Sequence, residues 1–117
     1  MDIKMKTYQE RMVILKALAD ESRLKILMLL QIRPLCVCEI NYMMDIALST
    51  ISAHLKVLKK AGLITDKKEG RWITYSLTDE AYIRKLLLLC AEGIDFSEEE
   101  KKLSSADRLM CAEKLYE

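Results

Sequence analysis

Between Leu48 and Leu77 the spacing of apolar residues changes period, and few folds accommodate the change. Ile51, Leu55 and Leu58 recur at helical intervals. Ala61-Gly62 then ends the helix, with glycine suited to the left-handed position beyond the last turn. Immediately afterwards, Leu63-Ile64-Thr65-Asp66-Lys67 and Arg71 to Leu77 read as two strands. Lys68-Glu69-Gly70 is the turn between them, with Gly70 supplying a positive φ. Upstream, a short helix starts near Cys36 or Cys38 and ends near Asp45. Ile46-Ala47-Leu48 turns the chain, and Ser49 or Thr50 caps the next helix. A short helix, a tight turn and a second helix with Thr50, Ser52, His54 and Lys56 pointing outwards make a helix-turn-helix. The hairpin that follows is its wing.

The flanks are helical. Three glycines and one proline in 117 residues leave long stretches uninterrupted. Thr7 can cap a helix from Tyr8 to about Ala19, with Met12, Leu15, Leu18 and Ala19 at helical spacing. Asp20-Glu21-Ser22 restarts the chain into a second helix. That helix is apolar almost all round to Leu30 and so is expected at the centre of the core. Pro34 ends it. Thr78-Asp79 is expected to cap a fifth helix through Ala91, ended by Gly93. Ser97-Glu98-Glu99-Glu100 is a helix start, Ser104-Ser105 an interruption, and a last helix carries Cys111. The length suits one domain. The expected division is a DNA-binding and dimerisation domain over 1–95 and a helical extension over 96–117. No apolar run reaches the roughly 18 residues of a spanning helix. The N-terminal Met1-Asp2-Ile3-Lys4 lacks a signal peptide's apolar segment. A cytoplasmic protein without membrane contact is the expectation.

The net charge is only +1, but it is unevenly placed. Ser49–Leu77 carries six Lys or Arg and two acids, a local +4, whereas Thr78–Glu117 carries six against ten, a local −4. The basic middle is the part that suits phosphate. Ser49, Thr50, Ser52, His54 and Lys56 are candidates for base edges or phosphates in the major groove, and Lys67, Lys68 and Arg71 for contacts from the wing. Any one of them could equally be a solvated surface residue. No nucleophile–base pair and no Gly-rich phosphate loop is present, and His54 is the single histidine, so an enzyme is not expected and no cofactor is required. The first helix and Leu86-Leu87-Leu88-Leu89 carry more apolar surface than one small domain buries, which points to a two-fold dimer on double-stranded operator DNA.

Four cysteines in a reducing compartment read as ligands or core residues before disulfides. Cys36-Val37-Cys38 is the sharpest pattern. On a regular helix, side chains two apart diverge by roughly 200°. They converge if the pair occupies an extended helix start, which Pro34 favours. Thiolates select soft ions, so arsenite, antimonite, Cd(II), Pb(II) or Cu(I) rank above Mg(II) or Ca(II). The plain alternative is two small core residues. For a third ligand Cys111 comes first, Cys90 is less favoured because it follows four leucines, and a solvent-derived or small-thiol ligand is the fallback.

Leu18-Ala19-Asp20-Glu21-Ser22-Arg23-Leu24-Lys25-Ile26-Leu27 resembles the second-helix signature of the ArsR/SmtB winged-helix repressors. Leu48 to Leu63 resembles that family's recognition helix, and Gly70-Arg71-Trp72-Ile73-Thr74-Tyr75 its wing. Leu35-Cys36-Val37-Cys38-Glu39-Ile40 is similar to the metal-binding box of its arsenic- and cadmium-sensing members. The similarity spans residues 10 to 92. It implies a homodimer built on the first and fifth helices, and release of operator DNA on ligand binding. Two departures stand out. Asn41 occupies the place of the box's third cysteine, and the fifth helix lacks the histidines of the zinc-sensing branch.

The expected architecture is therefore mainly α with a β-hairpin wing, in the order α-α-α-α-β-β-α plus a C-terminal helical tail. The expected function is repression of transcription, relieved when a thiophilic metal or metalloid, arsenite first, binds through cysteines. The rivals are a redox or reactive-sulfur sensor on the same fold, for which only Cys90 matches the usual positions, and a winged-helix interaction module that does not bind DNA.

Overall fold

The computed structural model describes residues 5–106. The expected last helix and Cys111 lie outside the described residues. The elements run α1 (Met5–Leu18), α2 (Glu21–Ile32), β1 (Leu35–Cys36), α3 (Val37–Met43), α4 (Leu48–Lys60), β2 (Ile64–Glu69), β3 (Trp72–Leu77), α5 (Ala81–Ala91) and α6 (Ser97–Ser104). This is the expected mainly helical winged helix-turn-helix with one addition. A two-residue strand precedes α3 and makes the wing three-stranded, in the order β1-β3-β2.

α2 is the central helix because its sequence leaves it no polar face. Ile26, Leu27, Met28, Leu29 and Leu30 are all buried. Asp20 starts it by accepting the Arg23 N–H at 3.0 Å. Against it pack Ile51, Leu55 and Leu58 of α4, each at most 1% exposed. α4 ends in a left-handed glycine, Gly62, at φ 81°. The Leu63 N–H then reaches the Leu58 carbonyl and the Gly62 N–H the Lys59 carbonyl, both at 3.0 Å, which satisfies two orphan carbonyls of the last turn. The chain leaves this cap directly into β2.

Four helix starts differ from expectation; at the last of them Phe96 is the N-cap of α6 and Ser97 its first residue. Ala47 rather than Ser49 or Thr50 is the N-cap of α4, so both hydroxyls lie inside the first turn. Glu80 rather than Thr78-Asp79 caps α5, its carboxylate accepting the Tyr82 and Ile83 N–H groups. Thr7 lies within α1. The hairpin is also tighter: Glu69 pairs with Trp72, so the loop is Gly70-Arg71 alone, with Gly70 at φ 64°.

α1 turns Ile14 and Ala17 into the core. Its Tyr8, Met12, Val13 and Leu15 are 45–52% exposed, and on α5 Leu88 and Leu89 are 60% and 67% exposed beside buried Leu87. The apolar surface that exceeds one chain's core is thus concentrated on these two helices.

α6 is anchored from the opposite side. Leu103 is 1% exposed and belongs to the main core, and the Lys102 ammonium lies 5.2 Å from the Tyr42 ring of α3. Between α2, α3 and α6 sits Glu39, 3% exposed. Its Oε2 meets the Arg33 Nη2 at 2.8 Å, and its Oε1 accepts the Cys36 N–H at 3.0 Å. The same Arg33 nitrogen donates to the Leu103 carbonyl at 3.3 Å. Burial pushes the Glu39 carboxyl up, but donation from Arg33 and Cys36 outweighs it, and the group lies below the ordinary glutamate value.

A carboxylate held this way stabilises the fold above its unfolded pKa, and that stability is lost as pH falls through the lower folded value. Glu39→Gln keeps an acceptor for Cys36 but loses the ion pair. It is expected to cost about 1–3 kcal/mol at neutral pH, less than a fully enclosed pair because Arg33 is partly exposed. Urea denaturation of variant and wild type should give curves that converge on acidification. A constant difference across the carboxylate range would assign the loss to packing instead.

Candidate nucleic-acid interface and thiol site

The sequence-selected polar residues of α4 and the wing fall on exposed surface with one exception. Ser49, Thr50, Ser52 and Lys56 are exposed on α4, the first three in its opening turns, and Lys67, Lys68 and Arg71 are exposed along the hairpin. His54 is half-buried, with its Nδ1 3.5 Å from the Arg23 Nη1. Arg23 also donates from Nε to the Ala17 carbonyl at 2.8 Å and from Nη2 to the Lys16 carbonyl at 3.3 Å. It therefore ties the end of α1 to the recognition helix, with His54 as the contact. A second tie runs forward. Lys59 of α4 meets Asp66 of β2 at 2.8 Å, which fixes helix against wing. Sequence reading missed both ties, because each joins elements whose relative placement depends on the core.

The thiol pair sits where β1 becomes α3. Cys36 is the N-cap residue, extended at φ −89° and ψ 168°, and Cys38 is the second residue of the helix. The extended residue undoes the helical divergence. The two side chains pack together, 3% and 7% exposed, with Trp72 of β3 against them. Cys36 and Glu39 stand in the capping-box relation, backbone to side chain in both directions. The Cys36 thiol also hydrogen-bonds the Glu39 carboxylate. Cys-x-x-Glu has the spacing of a capping box with sulfur in place of a hydroxyl, and that was the signal available in the sequence for Glu39. The backbone adds a further link: Cys36 pairs with Thr74 and Leu35 with Tyr75, so the residue that bears one thiol is also an edge residue of the wing sheet.

A cavity of about 260 Å³ opens beside the pair, lined by Cys36, Val37, Cys38, Leu48, Ser52, Arg71, Trp72 and Ile73. It is bounded by α3, by the first turns of α4 and by the wing, so whatever occupies it touches all three. Cys90, the other candidate ligand among the described residues, is not gathered there. It is half-buried against the main core. The Asn41 amide donates to the Ile46 carbonyl at 2.9 Å, holding the loop into α4. Among the described residues no cluster of three or more His, Cys, Asp or Glu is placed to hold a metal ion.

Comparison with known proteins agrees with this geometry. Residues 20–66, from the cap of α2 to the start of the wing, match the model of the bacterial regulatory proteins of the arsR family. The arsenical resistance operon repressor of Escherichia coli K12 is 42% identical over 66 residues, 56% of either chain, so this chain spans little more than half of that relative's length. An uncharacterized HTH-type transcriptional regulator of Methanocaldococcus jannaschii is 38% identical over 89 residues, 75% of this chain and 99% of the relative. Among solved structures, the homodimeric winged helix-turn-helix domain of Mb0332 from Mycobacterium bovis, a possible ArsR-family regulator, superposes with a TM-score of 0.69 at 31% identity. That match covers 76% of this chain and 82% of the other. Helix-turn-helix, wing and the sequence that builds them therefore agree, and the chain belongs to the arsR family of regulatory proteins.

Proposed function

We propose that the chain is a cytoplasmic, non-enzymatic transcriptional repressor that binds operator DNA as a homodimer and releases it when a thiophilic metal or metalloid, arsenite first, binds Cys36 and Cys38. One observation carries the reading: two cysteines two residues apart are packed together at the point where the wing sheet, the supporting helix and the recognition helix meet. Soft thiolates select arsenite, antimonite or Cd(II). Closing both sulfurs on one ion draws on Cys36, which is paired to the wing, and on α3, which supports α4. Affinity for DNA then falls by as much as the ligand prefers the rearranged state. The arsenical repressor of Escherichia coli lends the ligand class its support. Cys111 is the proposed third ligand for arsenite and Cys90 the second choice. Residues 1–95 carry DNA binding and dimerisation, and 96–117 form the extension.

On DNA, Ser49, Thr50, Ser52 and Lys56 enter the major groove and Lys67, Lys68 and Arg71 meet phosphate. His54, drawn towards Arg23, contacts DNA from the edge of this set. The dimer forms through Tyr8, Met12 and Leu15 of α1 with Leu88 and Leu89 of α5, the face left apolar in one chain.

Three outcomes test this reading. Sedimentation at micromolar concentration should give a dimer, and Leu88→Glu/Leu89→Glu should give a folded monomer; a monomeric wild type would refute the assembly. On a duplex selected from a random pool, Lys56→Ala, Lys68→Ala and Arg71→Ala should each weaken binding and reduce the salt slope by about one; three unchanged slopes would remove them from the interface. Cys36→Ser and Cys38→Ser should bind that duplex normally and hold it in arsenite or Cd(II). Release of the doubly substituted protein at the wild-type ion concentration would place sensing elsewhere.

A further inference from the structure

Among the described residues α6 supplies none of the proposed DNA, thiol or dimer contacts, yet its seat is tied to the thiol pair. Arg33, between α2 and β1, makes the tie. Its Nη1 donates to the Pro34 carbonyl at 3.1 Å, just ahead of β1. Its Nη2 meets the Glu39 carboxylate at 2.8 Å and the Leu103 carbonyl at 3.3 Å. That carbonyl lies in the last turn of α6, where the helix dipole favours a cation. Glu39 passes the constraint on: its other oxygen accepts the Cys36 N–H at 3.0 Å, and the Cys36 thiol bonds the same carboxylate. α6 also rests on the helix that bears Cys38. Leu103 is 1% exposed in the main core, and the Lys102 ammonium lies 5.2 Å from the Tyr42 ring of α3.

We propose that α6 is a clamp on the sensor, with Arg33 and Glu39 as positioning residues: docked α6 keeps Cys36 extended over Cys38, and inducer binding and α6 docking reinforce each other. If α6 leaves, Arg33 loses one acceptor and is free to follow the helix end into water. Glu39 is then a buried carboxylate short of its cation, and it must turn outwards to be solvated. The Cys36 N–H and thiol lose their partner, the start of α3 frays, and the sulfurs separate. A ligand that needs both sulfurs binds only the fraction of chains in which they are together, so its apparent affinity falls with that fraction. Linkage makes the effect reciprocal: an ion that bridges the sulfurs favours docked α6 by the same factor. The second half of this proposal rests on the reading above that Cys36 and Cys38 receive the inducer; the positioning of the thiols does not.

Reduced full-length protein tests the two halves separately. Iodoacetamide alkylation of Cys36 and Cys38, read peptide by peptide by mass, reports how firmly the pair is held whether or not it senses anything. Arg33→Gln and Lys102→Ala should each speed it, and Arg33→Lys, which keeps a cation for Glu39, should fall nearer wild type. Cd(II) binding is followed by the charge-transfer absorption of the Cd–thiolate bond. Arg33→Gln should require roughly five- to thirtyfold more ion, the lower part of the range for coupled sites. Lys102→Ala should require about two- to fivefold more, as loss of an exposed cation–π contact implies. Affinity for the selected duplex without ion should not change in either. Lys102→Ala leaves the buried pair intact, so its result stands even if Arg33→Gln fails to fold. Amide hydrogen exchange over residues 97–104 should slow when Cd(II) is added to wild type. Wild-type alkylation rates in both variants, or α6 exchange in wild type that ignores the ion, would overturn the clamp. Slowing of α6 exchange by Cd(II) in Cys36→Ser/Cys38→Ser would instead overturn the assignment of the thiols.

Discussion

A carboxylate that is 3% exposed must be satisfied from within, and the way Glu39 is satisfied decides where several elements lie. One oxygen takes the N–H of Cys36, which fixes the first residue of α3. The other takes Arg33 from just beyond α2, and the same guanidinium holds the carbonyl of Leu103 in α6. Supporting helix, central helix and C-terminal helix are therefore referenced to one side chain. Replacing such a pair with hydrocarbon can be neutral in stability. What it supplies here is position: with α3 started at Val37, Cys36 stays extended, its side chain turns back over Cys38, and its backbone stays in register with Thr74.

How much of this could be read from the chain depends on the distance over which each feature is determined. Ile51, Leu55 and Leu58, the glycine after α4 and the two strands of the hairpin are encoded within a few residues of themselves and appear where periodicity put them, with the turn between the strands tightened to Gly70-Arg71. The convergence of Cys36 and Cys38 was legible for the same reason, since Pro34 forces an extended approach. β1 was not: two residues carry no period, and the strand exists only because β3 is brought alongside. Arg33 and Glu39 belong to different helices, so their pairing needed the packing first. Trp72 was read as part of a wing and not as a neighbour of the thiols, because that contact crosses from hairpin to helix start. In α1, residue types gave the helix, but which stripe faces in was decided by α2, and it is Ile14 and Ala17 that do.

The recognition helix is held at its middle and at its C-terminal end by charged side chains. Arg23 approaches it at His54 and Lys59 leaves it for Asp66, while Leu63, just past its cap, accepts the Thr78 N–H. A helix so tied does not shift alone. Its surroundings, the α1–α2 turn on one side and the hairpin on the other, move with it, and the surface offered to DNA comprises the helix and the wing together.

The sheet joins two seams of unequal length. Six residue pairs hold β2 to β3, and two hold β1 to β3. In a zipper of backbone hydrogen bonds, resistance to parting grows with the number of rungs, so a pull applied anywhere along the sheet opens the shorter seam first. The hairpin then travels as one stiff blade, and the tear runs through Cys36. Mechanically, the protein has placed a cysteine on its own perforation line.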